Sequence, residues 1–342
     1  MLGSELTRAY NTIQRTGSSS IWVREATVRG ETNRNRDTSM TFRRSLTLLL
    51  AATALCAPAQ TQSIAIERRE IGELLASGKS EEAERRLRDA LTQAPMSAEL
   101  HAQLGMLYFQ LQRHPEAIEH LGRAVQLDEA NAEYAMSLAD ALLAARRFGI
   151  AAEFLTAVKS RFEKLPAYQY NLGLAYYGAR DFATALEHFR QALKLAPKLE
   201  LARYFEGNCL AAGGDLEAAQ QSYRAALLAN PNNPDYLFAL GKVLSLAGSE
   251  HDVEVIALLK KALAIKPSHT PSRLYLALAF ERSGQLAEAR DLLETVAREY
   301  PDQIEPHAAL ARIYYRLKLR DKGDEASRIV RKLREAQPSR QP

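Results

Sequence analysis

Residues 171–197 read NLGLAYYGARDFATALEHFRQALKLAP. Leucines, alanines and aromatics return every three or four residues, the period of one face of an α-helix. The sequence GARDF interrupts that period and Pro197 ends it, so the stretch predicts two short helices joined by a tight turn. It holds no nucleophile beside a base, no metal-ligand spacing and no phosphate loop. Its meaning comes from recurrence. QLGMLYFQLQRHPEAIEHLGRAVQL lies upstream and ALGKVLSLAG downstream, and Gly105, Gly173, Gly207 and Gly241 fall at multiples of 34 residues. A fixed step of this size marks stacked supersecondary units.

Each repeat can be numbered from 1 to 34. Position 8 is small: Gly105, Ala139, Gly173, Gly207, Gly241, Ala277 and Ala311. Position 11 is large and apolar, as in Tyr108, Leu142, Tyr176, Leu244 and Phe280. Position 20 is alanine at residues 83, 117, 151, 185, 219 and 289, and position 24 is large, as in Leu121, Leu155, Phe189, Tyr223, Leu259 and Leu293. Position 32 is proline at residues 95, 197, 231, 267 and 301, with Glu129 and Glu163 as exceptions. Two irregularities interrupt the step. Two extra residues fall in AGSEHDV, between Leu244 and Val255. Three more around KLRDKGD place Ala326 at position 20, Val330 at 24 and Pro338 at 32 of the last repeat. Insertions of this kind belong in loops between helices.

The pattern has a mechanical logic. Small residues at 8 and 20 let two antiparallel helices approach closely, and the large residues at 11 and 24 fill the space beside them. Proline at 32 lacks an N–H and turns the chain out of the second helix. One such pair cannot bury its apolar face alone, so neighbours must stack.

On these residues the chain resembles the tetratricopeptide-repeat family. The resemblance covers eight repeats, starting near residues 64, 98, 132, 166, 200, 234, 270 and 304, within an array over 60–342. It implies an all-α fold, a right-handed α-solenoid of stacked antiparallel helix pairs with first helices inside. The chain departs from the family at position 4, where the usual large aromatic is replaced by His101, Arg203 or Leu237. The resemblance also implies a concave groove lined by positions 2, 5, 6, 9, 12 and 13 of the first helices. Those positions place Tyr170, Asn171, Tyr177, Tyr204, Phe205, Asn208, Phe238, Lys242 and Tyr275 there. Only part of the Lys, Arg and Asn set that grips a C-terminal carboxylate in some members is present, so that clamp is not expected. Aromatic anchors with a few amides suit an extended or helical protein segment.

Composition narrows the function. The formal net charge is +4, but residues 1–39 carry six arginines against four acids, and Arg43 and Arg44 add two more positive charges. From Gln60 onward basic and acidic residues balance, which argues against a nucleic-acid surface. Only the last repeat leans basic, with ten cations against four acids from Arg312 to Arg340. That imbalance predicts a solvated helix closing the stack. MTFRRSLTLLLAATALCAPAQ, from Met40, has the layout of a secretory signal over 40–59, with small residues at Ala57 and Ala59 for cleavage. Residues 1–39 are polar and without apolar period; disorder upstream of a true start at Met40 is the expectation. Leu55 stands before Cys56 where a lipidation site needs a small residue, so a lipid anchor is not expected. Cleavage leaves Cys209 as the only cysteine, without a disulfide.

No catalytic signature emerges. The seven histidines, at 101, 114, 120, 188, 251, 269 and 307, form no H-E-x-x-H, and neither G-x-S-x-G nor a Walker loop occurs. The sequence therefore predicts a non-enzymatic scaffold with no metal and no cofactor, exported to the periplasm or beyond, binding a protein or peptide in its groove. The alternative is a structural subunit of an envelope secretion, pilus or exopolysaccharide-export complex.

Overall fold

The computed structural model describes residues 70–74 and 76–336. The export signal expected at 40–59, the leader before it and Cys56 lie outside the described residues. Two compact blocks divide at Glu163 and Lys164. After helical residues at 70–74, the first block holds α1 (Ser80–Gln93), α2 (Ala98–Gln110), α3 (His114–Leu127), α4 (Ala132–Ala144), α5 (Phe148–Ala157) and the short α6 (Lys159–Phe162). In the second block the elements are α7 (Pro166–Gly178), α8 (Phe182–Leu195), α9 (Glu200–Ala212), α10 (Leu216–Ala229) and α11 (Pro234–Ala247). A 3-10 turn at Ser249–His251 follows, then α12 (Asp252–Ile265), α13 (Thr270–Arg282), α14 (Leu286–Glu299), α15 (Ile304–Arg316) and α16 (Arg320–Ala336). The described residues are all-α. Within each block successive helices pack as antiparallel pairs, and successive first helices such as α9, α11, α13 and α15 also touch one another. This is the architecture of an α-solenoid.

The packing follows the small/large code. A Cβ added at Gly173 would meet the Phe189 ring at 2.7 Å, at Gly207 the Tyr223 ring at 2.6 Å, and at Gly241 a Leu259 methyl at 3.0 Å. Position 8 is thus the floor on which the position 24 side chain lies. Position 20 alanines 83, 117, 151, 185, 219 and 289 are wholly buried.

The turn between the two helices of a repeat is less legible. Its left-handed residue sits at position 15 in seven repeats: Gly78, Gln112, Arg146, Arg180, Gly214, Gly284 and Lys318. In GARDF the strained position is therefore Arg180, and Gly178 is an ordinary helical residue. Asp181 and Asp215 accept from backbone N–H groups three residues on and cap the second helices, while Ser97, Asn131 and Asn233 cap first helices.

Position 4 has a purpose that the pattern did not show. His101, Arg203, Arg273 and His307 each reach back six residues and donate to the carbonyl of Pro95, Pro197, Pro267 and Pro301, at 3.2, 3.0, 3.0 and 3.0 Å. Where position 4 is Leu237 or Ala135, a cation from later in the same repeat substitutes. Lys261 donates to the Pro231 carbonyl and Arg161 to that of Glu129. The side chain that replaces the family aromatic ties the exit of one repeat to the entry of the next.

Of the two expected insertions, one is corrected. AGSEHDV does hold its extra residues in a loop, where Asp252 opens α12 and is nearly buried. The last repeat has no insertion. Residues 317–319 form a three-residue turn like 283–285, and the Gly323 N–H bonds the Leu319 carbonyl as Ala289 bonds Gln285. Gly323 therefore occupies position 20, Ser327 position 24 and Val330 position 27. Neither Gly323 nor Ser327 fits the alanine/large-apolar template, so matching on Ala326 and Val330 forced a false gap. Without a proline at position 32, α16 runs for 17 residues against 14 in α14.

Candidate functional site

The groove candidates all lie in the second block. Tyr170 and Tyr177 project from α7, Tyr204 and Phe205 from α9, Phe238 from α11 and Tyr275 from α13, all half-buried. Their rings form a ladder. Tyr177 meets Phe205 edge-on at 5.2 Å, and Phe205 lies at 6.1 Å from Tyr170 and 5.2 Å from Tyr204. Tyr204 stacks on Tyr236 at 5.0 Å. Phe238 and Tyr275 make a separate pair at 5.5 Å, with His269 at 5.3 Å from Phe238. Offset and edge-on contacts of this kind contribute beyond the area they bury.

Four further rings complete the ladder. Phe182 and Phe189 come from α8, Tyr223 from α10 and Tyr236 from α11. Phe189 and Tyr223 were legible as position 24 residues, but nothing in the step shows that they back the first-helix rings. Burial raises the phenol pKa of Tyr177, Tyr204 and Tyr275, and lifts that of Tyr236 to about 12. All four hydroxyls therefore remain neutral at physiological pH.

The polar candidates divide. Asn171 is only 4% exposed, so it is part of the packed layer rather than of a groove surface. Asn208 accepts the Tyr223 hydroxyl at 2.7 Å, which orients its amide. Lys242 is exposed and supplies the one cation among the nine. Cys209 is buried and its thiol is pushed up to about 12 by that burial, an inert packing group.

Two histidine constellations were invisible in sequence. Ser272 Oγ lies 2.7 Å from His269 Nδ1, and His269 Nε2 lies 3.2 Å from Asp235 Oδ1. The order matches a nucleophile, base and orienting acid, but Ser272 is wholly buried and His269 Nδ1 also accepts the Ser272 N–H. No substrate reaches that hydroxyl. The arrangement is an N-cap of α13 tethered to α11.

In the first block His101 and His120 bring their Nδ1 atoms to 3.0 Å. His101 Nε2 donates to the Pro95 carbonyl, so its Nδ1 accepts and His120 Nδ1 carries the proton. Burial, then His101 and Arg88, lower His120 to about 4, with Glu116 and Glu84 opposing. Burial also lowers His101, with Arg123 adding to the effect. The unfolded chain therefore takes up these protons first, and stability in this region falls as pH drops from about 6.5 towards 4. Hydrogen exchange of α2 and α3 across that range should show the loss, and His120→Gln should flatten it. An unchanged profile in the variant would refute the assignment. Among the described residues no group of three or more His, Cys, Asp or Glu is placed to hold a metal ion. No described helix is long and apolar enough to cross a membrane.

Comparison with known proteins agrees with the geometry. A family model described as tetratricopeptide repeat matches residues 72–132, 103–166, 136–200, 170–234 and 206–270, and a second matches 253–313. No curated protein sequence matches the chain. Among solved structures, pilF of Pseudomonas aeruginosa is similar with a TM-score of 0.55 and 17% identity, covering 65% of this chain and 96% of that one. The Cut9–Hcn1 hetero-tetramer of the APC/C gives 0.53 and 21%, over 60% of this chain and 41% of that one. YrrB, a protein whose structure was described as having an unusual peptide-binding site, gives 0.43 and 19%, over 54% and 95%.

Proposed function

The chain belongs to the tetratricopeptide-repeat family, a fold of protein-interaction scaffolds, and on that premise we propose that it is a non-enzymatic adaptor. Its second block takes a protein segment with apolar anchors along the aromatic ladder. The observation that carries this reading is the run of half-buried rings on successive first helices, from Tyr170 and Tyr177 to Tyr204, Phe205, Phe238 and Tyr275. A merely structural layer has no need to leave each ring partly open. Tyrosine is favoured in binding hot spots because it offers a large rigid face and one neutral donor. The charge balance of the array supports a protein partner over a nucleic acid. The sequence of residues 40–59 supports export, so the partner is sought in the cell envelope or outside it.

Tyr204 is a poor probe of this groove, since its ring packs on Phe205, Tyr223 and Tyr236 and its loss would damage the fold. Tyr170→Leu and Tyr275→Leu keep apolar volume and remove the ring face. In pull-downs from envelope extract each should lower partner capture several-fold, as loss of a hot-spot ring worth more than ~1 kcal/mol does, with little change in melting. Capture at wild-type level by both variants would place the partner surface elsewhere. Return of one stoichiometric complex, rather than several minor partners, would favour a structural subunit of an envelope machine.

A further inference from the structure

The corrected register of the last repeat exposes a second surface. In the preceding repeats of this block a large position 24 side chain covers the small position 8 residue: Phe189 on Gly173, Tyr223 on Gly207, Leu259 on Gly241. In the last repeat both are small, Ala311 and Ser327. The missing side chain leaves an open cleft of about 620 Å³ between α15 and α16, lined by Ala308, Ala311, Ser327, Val330, Arg331, Arg334 and Glu335. Its floor is apolar. Position 28 is apolar in the four preceding repeats (Leu193, Leu227, Leu263, Ala297) and becomes Arg331 here.

A terminal helix whose only task is to keep the stack soluble would be polar across its face. It would not set Val330 opposite Ala308 and Ala311 of α15 across an open cleft. The cationic rim has a partial local rationale, because basic residues in the last turns of α16 complement its dipole. That accounts for the sign of the charge and not for the cleft. Arg328, Arg331, Lys332 and Arg334 are exposed, and among the described residues none of them forms an ion pair.

We propose that the α15–α16 cleft is a docking site for an acidic amphipathic helix from a partner protein. An aliphatic side chain of that helix enters the hole left by Ser327, and carboxylates about one turn away meet Arg331 and Arg334. The site is independent of the aromatic ladder.

The probe is a fluorescein-labelled, N-acetylated peptide, EALAELLEALAELL, with a twin in which every glutamate is lysine. Fluorescence anisotropy with the full chain should show saturable binding of the acidic peptide, weakened by salt, and no binding of the twin. Arg331→Glu with Arg334→Glu should weaken the acidic peptide at least ~tenfold and admit the lysine twin, as charge complementarity requires. Ser327→Leu, which copies the Ala277/Leu293 pairing of the preceding repeat, should fill the cleft and abolish binding while raising the melting temperature. No saturable binding, or binding untouched by either change, overturns the proposal. Retained binding in Ser327→Leu reduces the site to charge alone and also overturns it. Sedimentation showing self-association that the arginine reversals abolish would instead assign the face to a second copy of this chain.

Discussion

Arg282→Leu will lower the stability of the second block by about 3 kcal/mol, the low end of the range for stripping a buried charge of its partner. Asp252 shows only 9% of its side chain to solvent, and Arg282 grips it through Nε at 3.0 and 3.1 Å from the two carboxylate oxygens. The same guanidinium donates to Ser245 Oγ at 2.8 Å. One residue from α13 thus holds the end of α11 and the start of α12, the two sides of the two-residue insertion. Arg282 is itself one-third exposed, which is why the low end applies. Chemical denaturation should show the drop, and hydrogen exchange should localise it to the 248–256 segment and α13. Asp252→Ala in the same chain should recover part of the loss, because it removes the uncompensated charge. A loss under about 1 kcal/mol would mean that the pair is solvated and its geometry incidental.

Gly207→Ala comes next, with an expected cost of about 2 kcal/mol despite alanine's better helix propensity. The new methyl would meet three atoms of the Tyr223 ring, at 2.6, 2.8 and 3.0 Å. That ring cannot swing aside freely, since its hydroxyl bonds Asn208 and Tyr204 lies tilted beside it at 6.0 Å. Repeats with alanine at position 8 show the compatible partner, Leu155 with Ala139 and Leu293 with Ala277. Tyr223→Leu should therefore be costly alone and should recover stability in the Gly207→Ala background, a favourable coupling measurable in a double-mutant cycle. Additive losses would show that positions 8 and 24 are not a packing pair. Disturbance of the ladder in Gly207→Ala should lower partner capture together with stability, unlike Tyr170→Leu and Tyr275→Leu.

The step of 34 residues, the paired helices and the buried role of position 20 were all legible in the sequence, because they rest on side-chain size repeated in register. The groove was legible only as a set of positions. Its rings are brought together by stacking of first helices, and Asn171, assigned by position alone, is buried instead. Polar pairs whose members lie on different helices were not legible. His101 and His120 are 19 residues apart, Asp235 and His269 are 34 apart, and Asp252 and Arg282 are 30 apart; no local motif links any of them.

The last repeat shows the division most clearly. By itself the sequence determined that helix pairs of this length must stack, since a periodic stripe of small and large apolar residues can be buried in no other way. It also determined that the chain's charge balances beyond Gln60. Only the tertiary structure decided the register of α16. A helix starts where its turn and its first hydrogen bonds allow, and the Gly323 to Leu319 bond fixes that start three residues before the apolar pattern suggests. That choice puts Ser327 opposite Ala311, and the cleft follows from two small residues meeting where every other pair in the block sets a large one on a small one.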